Sequence, residues 1–332
     1  MNRPPATLIH DAARRLGAGD VVAFPTETVY GLGADARNEA AVRRIYALKG
    51  RPADHPLIVH VTGRDAAGQW AAEIPEAARV LMARFWPGPL TLVLPARDEV
   101  SHVVTGGQDS VALRAPHHPV AQALLRAFGG GLAAPSANPF GRVSPTEARH
   151  VRGYFPELTV LDGGPCRLGL ESSLVSLIGE RPRVLRPGAL PLSALREALG
   201  STCIETGAAD ASSPRVPGAL PAHYAPATPL EVIPAARLAR HAEGLLARGL
   251  RVAVLRRPCG PWQNPVLPPL PRFLMPAGAR AYGRRLYARL REIDRFGFDR
   301  LLVEAPPADE DWWAVNDRLA RVANRHLQEV SS

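Results

Sequence analysis

Val21-Val22-Ala23-Phe24-Pro25-Thr26-Glu27-Thr28-Val29-Tyr30-Gly31-Leu32-Gly33 is the stretch that decides the fold. Four apolar residues closed by Pro25 are long enough for a buried strand and too short for a helix. Hydroxyls and a carboxylate then meet a glycine-rich turn, and polar groups at a strand's end commonly line a crevice. Thr26 and Thr28 are potential ligand donors there, although threonines in turns also cap backbone.

Working outward, a helix is expected from about Asn38 to Lys49, with Val42, Ile45 and Tyr46 on one face. Strands are expected at 56–61, 90–94, 111–114, 131–134, 159–162 and 173–178, and helices at 75–86, 118–128 and 192–199. The alternation is that of an α/β domain over residues 1–200. The irregular helix spacing predicts a mixed, twisted sheet rather than a doubly wound parallel one. Residues 201–228 shift to Ala, Ser, Gly and Pro and read as a linker or functional loop. Residues 229–332 read as a smaller α/β domain, with strands at 230–233, 251–255 and 301–304 and helices at 234–248, 279–296 and 313–327.

Composition narrows the class. The 332 residues are 46% hydrophobic, and the net charge is +9. No apolar run approaches the roughly 20 residues that cross a bilayer. The first twenty residues carry Arg3, His10, Asp11, Arg14 and Arg15 rather than a signal-peptide core, so a cytoplasmic location is expected. Cys166, Cys203 and Cys259 have no paired or zinc-finger spacing. Phosphate-loop, dinucleotide-turn, nucleophile-elbow and zincin motifs are absent. His55 and His60 lie five apart on an expected strand, on opposite faces, and cannot form a zinc pair.

Of the 40 basic residues, only Lys49 is lysine. It opens Lys49-Gly50-Arg51-Pro52, where a narrow amine and a guanidinium two residues apart could neutralise phosphates; the competing reading is a basic helix C-terminus. On the strand ending at Arg114, Ser110, Ala112 and Arg114 share a face, and Arg114 is suited to grip a carboxylate bidentately. Around Ala134, small residues admit a flat ligand, with Ser136 and Asn138 reading its polar edge. Ser136 has no neighbouring base and is not expected to be a nucleophile. Ser144, Glu171-Ser172-Ser173 and Leu185-Arg186-Pro187-Gly188 complete six polar clusters on successive strands, read together as a cationic cavity for a nucleotide and a small acid. Arg280, Arg284, Arg285, Arg289, Arg291, Arg295 and Arg300 could form a helical stripe, read as a solvated face rather than a nucleic-acid patch.

FPTETVYGLG (24–33), KGRPADHPLIVH (49–60), WPGPLTLVL (86–94), VALRAP (111–116), APSAN (134–138), DGG (162–164), ESS (171–173) and LRPG (185–188) occur in an order that resembles the YrdC-like threonylcarbamoyl-adenylate synthases. PGALPAHYAP (217–226) and the region after it resemble the long, two-domain form. The resemblance implies a YrdC-like twisted mixed sheet with a large cationic cavity, plus a Rossmann-like second domain. It implies that L-threonine, bicarbonate and ATP give threonylcarbamoyl-adenylate, pyrophosphate and water, for the threonylcarbamoyladenosine modification of tRNA. Thr26, His60, Arg114, Ala134 and Ser172 match threonine-contacting positions. Arg51, His55, Ser110, Ser136, Asn138, Ser144, Arg186 and Tyr224 match nucleotide-contacting ones, with Lys49 and Arg51 as the catalytic cations. Mg2+ would be carried by the ATP phosphates rather than by a protein-only site. The product would pass to a tRNA-modifying transferase complex, with a weak tRNA contact by the arginine-rich second domain and no membrane partner. The linker around His223-Tyr224 is expected to act as a lid. His55 replaces a frequent asparagine, and PGALPAHYAP lacks a lysine and an aromatic residue of the family pattern. The competing readings are a carbamoyl-adenylate-forming carbamoyltransferase, whose additional acylphosphatase-like and CxxC elements are missing here, and a non-catalytic RNA-binding protein.

Overall fold

The computed structural model describes residues 4–200, 204–207, 213–218, 224–258 and 270–331. The chain divides into two compact units, Met1–Phe140 with Ser144–Ala219, and Gly141–Val143 with Leu220–Ser332. His223, Cys203, Cys259 and much of the 201–228 linker lie outside the described residues.

The first unit runs α1 (Ala6–Gly17), β1 (Val22–Phe24), β2 (Gly31–Asp35), α2 (Glu39–Lys49), β3 (Ile58–His60), α3 (Glu76–Phe85), β4 (Leu90–Pro95), α4 (His102–Thr105) and β5 (Ser110–Arg114). It continues through α5 (Pro119–Phe128), β6 (Leu132–Ala133), α6 (Ala148–Arg152), β7 (Thr159–Val160), β8 (Ser173–Ser176), β9 (Arg183–Arg186), α7 (Leu192–Leu199) and β10 (Glu205–Thr206). Among the described residues these strands form one ten-stranded sheet in the order β10-β9-β8-β4-β5-β3-β6-β2-β1-β7. Parallel pairs such as β3 with β5 and β4 with β8 alternate with antiparallel ones such as β4 with β5, so the sheet is mixed, as the uneven helix spacing predicts.

Local chemistry sets the boundaries. The Asn38 side chain accepts from the Ala41 N–H to start α2, and Gly50, at φ 60°, ends it in the left-handed conformation. This stop puts Lys49 at the helix end and swings Arg51 into the turn before β3. Beneath β1, α1 and α5 close a core of Ile9, Leu16, Phe24, Leu124 and Leu125. Each of these helices presents one apolar stripe to the sheet.

Two stretches differ from their sequence reading. Gly31–Asp35, expected within a polar turn, is strand β2, paired antiparallel with β1 through Val22 and Gly33. Its Gly-Leu-Gly-Ala-Asp composition carries almost no strand propensity. Tertiary packing selects the glycine instead: a Cβ on Gly33 would lie 2.7 Å from the Phe24 ring. Leu185-Arg186, read as a polar punctuation, is the end of strand β9, antiparallel to β8.

The second unit runs β11 (Leu230–Ile233), α8 (Ala235–Ala247), β12 (Val252–Arg256), β13 (Arg272–Leu274), α9 (Ala279–Asp294), β14 (Arg300–Glu304) and α10 (Trp313–Ser331). Its four strands, in the order β11-β14-β12-β13, are all parallel. A parallel sheet covered on both faces needs continuous apolar strands, and Val252–Leu255 and Leu301–Val303 supply them, all buried. α8 buries Leu238, Ala242 and Leu245 against that sheet. No helix among the described residues is long and apolar enough to cross a membrane.

Candidate functional site

The polar clusters come from strands that are neighbours in space rather than successive in the chain. β9, β8, β4, β5, β3, β6, β2 and β1 stand side by side, and each brings a polar residue at or near an end. On β5, Ser110 and Arg114 lie on one face, about 13 Å apart at ~3.3 Å per residue. This length separates two groups of side chains.

Arg114 is the hub of the first group. Its Nη1 donates to Thr28 Oγ1 at 2.9 Å, its Nε to the Gly88 carbonyl at 3.3 Å, and its Nη2 lies 2.8 Å from Glu27 Oε1. Both partners of this ion pair are buried, at 4% and 1% exposure. Thr26 Oγ1 donates to the Val29 carbonyl at 2.6 Å and meets Thr28 Oγ1 at 2.8 Å. With that proton committed, Thr28 is the donor to Thr26, so a polarised chain runs from Arg114 through both hydroxyls to the backbone. Thr26 also accepts from the Thr28 and Val29 N–H groups, so it caps its own turn.

His60 pairs in register with Arg114 across β3 and β5. Burial, with Arg114 beside it, pushes its imidazole down to about 3, so it is neutral at physiological pH. Its ring meets Phe24 edge-on, and its Nδ1 is buried without a hydrogen-bond partner. Ala134, just after β6, donates its N–H to the Ile58 carbonyl at 2.9 Å. Ser172 Oγ sits 2.7 Å from Thr91 Oγ1 and accepts from Arg186 Nη2 at 3.1 Å. Ser144 Oγ donates to Glu171 Oε1 at 2.8 Å, which brings it to the residue preceding Ser172.

The second group gathers at the opposite ends of β3 and β5. Lys49 is 4% exposed, and its Nζ donates to the Ser136 carbonyl at 2.6 Å and the Asn138 carbonyl at 2.5 Å. Burial, and then the nearby Arg51 charge, hold its amine well below the ordinary lysine range. Arg51 donates to the Pro56 carbonyl at 2.9 Å and lies over the Phe140 ring at 5.6 Å. His55 meets the same ring edge-on, and burial followed by the Arg51 charge lowers its imidazole pKa. The two cations therefore brace the Ser136–Phe140 loop and the turn before β3. Among the described residues no group of three or more His, Cys, Asp or Glu side chains could hold a metal ion.

Of the described linker residues, 213–218 lie on the sheet face that carries Ala112. Val216 packs in one cluster with Ile58, Val93, Ala112, Leu174 and Leu185. The Pro217 carbonyl accepts from Arg186 Nη1 at 2.8 Å, and Gln108 exchanges hydrogen bonds with the Arg215 backbone. Tyr224 belongs to the second unit. There it is buried at a positive φ of 63°, stacked on Tyr287 at 5.8 Å and covered by Arg318 at 5.1 Å.

Glu27, Thr28, Thr91 and Glu171 position Arg114, Thr26, Ser172 and Ser144 respectively; the sequence offered Thr28 as a potential ligand donor and Glu171 as part of a polar cluster, but gave Thr91 no role and Glu27 none beyond its place in the turn. A signal existed for Glu27: a carboxylate three residues past a fully apolar strand needs a counter-charge if it is buried with that strand. For Thr91, a lone hydroxyl in an apolar strand, nothing local identified its partner.

The family described as Telomere recombination, comprising Sua5, YciO and YrdC proteins, matches residues 14–188, and that described as Threonylcarbamoyl-AMP synthase, C-terminal domain, matches residues 191–324. Threonylcarbamoyl-AMP synthase from Pyrococcus abyssi is 39% identical over 332 residues, covering 97% of this chain and 96% of the relative. The Bacillus subtilis protein of the same name is 38% identical, with 95% and 92% coverage. The crystal structure of P. abyssi Sua5 complexed with L-threonine matches with a TM-score of 0.88 at 37% identity, over 98% of this chain and 96% of that one. Because both halves are matched and the likeness runs almost end to end, the chain belongs to the two-domain threonylcarbamoyl-AMP synthase family.

Proposed function

We propose that this chain is a nucleotidyltransferase that condenses L-threonine, bicarbonate and ATP into threonylcarbamoyl-AMP, releasing pyrophosphate and water. The observation that carries the reading at the site is Arg114: a buried guanidinium whose Nη2 forms no aligned hydrogen bond, set beside a polarised threonine pair. Such a group would take the substrate carboxylate bidentately. Thr26, His60, Ala134 and Ser172 would surround the amino acid and aim its amine at bicarbonate. The amine nitrogen bonds to the bicarbonate carbon and water leaves, giving a carbamate. A carbamate oxygen then attacks the α-phosphorus and displaces pyrophosphate.

Lys49, Arg51, His55, Ser110, Ser136 and Asn138 would hold the nucleotide and its phosphates. Ser144 and Arg186 would complete that set, and the Arg186 contact with Ser172 supports a junction of the two groups where the carbamate and α-phosphate would react. Lys49 and Arg51 are the cations that would stabilise the developing phosphate charge. Mg2+ would enter with the ATP phosphates. Tyr224 and the linker would exclude water, which both the carbamate and the mixed anhydride require. The 1–200, 201–228 and 229–332 division describes catalytic domain, lid and second domain in this reading. The product would serve tRNA threonylcarbamoyladenosine modification in the cytoplasm. A tRNA contact would use Arg280, Arg284, Arg285 and Arg295, the exposed members of the arginine series on and just beyond α9.

The test is mass-spectrometric detection of threonylcarbamoyl-AMP from the purified chain with ATP, threonine and bicarbonate, alongside Arg114→Ala. Product formation with a threonine KM raised at least tenfold in the variant is expected. Turnover only when carbamoyl phosphate replaces threonine and bicarbonate would overturn the reading.

A further inference from the structure

Each hydroxyl near Arg114 and Ser172 carries one proton, and most of these protons are already spent within the protein. Thr26 gives its proton to the Val29 carbonyl, Thr28 gives its own to Thr26, and Ser144 gives its own to Glu171. Thr91 and Ser172 remain, with their Oγ atoms 2.7 Å apart. Only one of their two protons can lie between them, so the other points elsewhere.

Thr91 is the one polar residue of Leu90–Leu94, a strand otherwise wholly apolar, and it is fully buried. Alternation along β4 puts it on the face of Val93, which packs with Ala112, and Ala112 shares its face of β5 with Arg114. β4 lies between β8 and β5, so Thr91 stands between the strand that follows Ser172 and the strand that Arg114 ends. Among the described residues Ser172 is the hydrogen-bond partner of the Thr91 hydroxyl, and no second acceptor stands near it.

Ser172 is held from other sides as well. Arg186 Nη2 donates to its carbonyl at 2.9 Å and to its Oγ at 3.1 Å. Gly188 closes on its backbone so tightly that a Cβ there would lie 2.5 Å from the Ser172 carbonyl oxygen. If Ser172 donated to Thr91, the Thr91 proton would be stranded in an apolar strand, which burial makes costly. If Thr91 donates instead, Thr91 and Arg186 fill both Ser172 lone pairs, and the uncommitted proton is the one on Ser172. A bound reactant can supply its acceptor.

A hydroxyl in that state can only donate. The threonine ammonium is itself a donor, and the deprotonated amine needs its lone pair to attack bicarbonate. The matching group is therefore an oxygen, of threonine or of bicarbonate. We propose, resting on the reaction inferred above, that Thr91 is a positioning residue: by donating to Ser172 it fixes the Ser172 hydroxyl as a hydrogen-bond donor to a reactant oxygen.

Steady-state kinetics of the full-length chain with Thr91→Val, Thr91→Ser and Ser172→Ala test this. Thr91→Val, which keeps the side-chain shape, is expected to raise the KM for threonine or bicarbonate at least about fivefold while the ATP KM stays within about twofold. Whichever KM rises more identifies the reactant whose oxygen is held. Thr91→Ser should restore both values, and Thr91→Val should add nothing to Ser172→Ala, because it acts through that hydroxyl. Unchanged KM values, an equal rise in the ATP KM, failure of Thr91→Ser to restore them, or additive losses overturn the proposal. Neutron diffraction from deuterated crystals of the unsubstituted chain decides even if a variant fails to fold: the deuterium between the two oxygens should be bonded to Thr91, and one bonded to Ser172 overturns the proposal. That result does not depend on turnover, whereas absence of threonylcarbamoyl-AMP from the unsubstituted chain would overturn the functional reading.

Discussion

Removing the charge of Glu27 should destabilise the first unit and show that Arg114 is held by a buried pair rather than by packing. Charges 2.8 Å apart attract by about 6 kcal/mol at an effective dielectric of 20, and desolvating each ion costs several kcal/mol, so the intact pair is close to neutral for stability. Breaking it is a different matter, because Glu27→Gln leaves the Arg114 guanidinium buried without its counter-charge. The expected loss is about 3–5 kcal/mol. For a unit of this size that corresponds to a fall in melting temperature of roughly 6–20 °C. Arg114→Met should cost a similar amount for the mirror-image reason. The decisive assay is a double-mutant cycle by urea denaturation: combining the two substitutions removes both charges, and its cost should fall short of the sum by at least about 2 kcal/mol. Additivity within ~0.5 kcal/mol would refute the claim that these groups stabilise one another.

Lys49→Arg should cost about 1–3 kcal/mol, because a guanidinium overfills the space between the Ser136 and Asn138 carbonyls, and pyrophosphate release should drop at least tenfold; full activity with unchanged stability would contradict this. His60 should make the fold acid-sensitive. Its folded-state pKa of about 3 lies below the ordinary value of 6.5, so the unfolded chain binds the extra proton between them; the contribution is complete above pH 6.5 and is lost as pH falls toward 3, by about 4–5 kcal/mol. Denaturant titrations between pH 4 and 7 should show His60→Gln with a shallower slope than the unsubstituted chain. Gly188→Ala should be more damaging than a surface substitution, by about 3 kcal/mol or more, since its Cβ would fall 2.2 Å from the Ser173 nitrogen, and backbone rather than a flexible side chain would have to move. A thermal shift under 2 °C for that variant would show that the β8 entry can relax.

Legibility followed the range of the interactions. Helix α2 was readable because its cap, apolar face and left-handed glycine stop are all local to residues 38–50. Strand β2 was not, because a Gly-Leu-Gly-Ala-Asp segment becomes a strand only through its neighbour's Phe24 ring. At the site, the residue types were visible as motifs, but Glu27 on Arg114, Thr91 on Ser172 and Glu171 on Ser144 join positions 27 to 87 apart. No local pattern encodes such a pairing. Lys49 shows the same limit: its rarity drew attention to an amine, while its two carbonyl partners, 87 and 89 residues away, show it bracing a loop.

The sequence by itself determined the α/β class, the motif order that carries the family likeness, and the change of character after residue 200, because periodicity, composition and short motifs are properties of neighbouring residues. Only the tertiary structure decided which strands are adjacent, which charge answers which, and that residues 213–218 lie on the sheet face that carries Ala112. Those outcomes depend on burial, where an unpaired charge or hydroxyl is costly and must find its partner wherever the fold brings one.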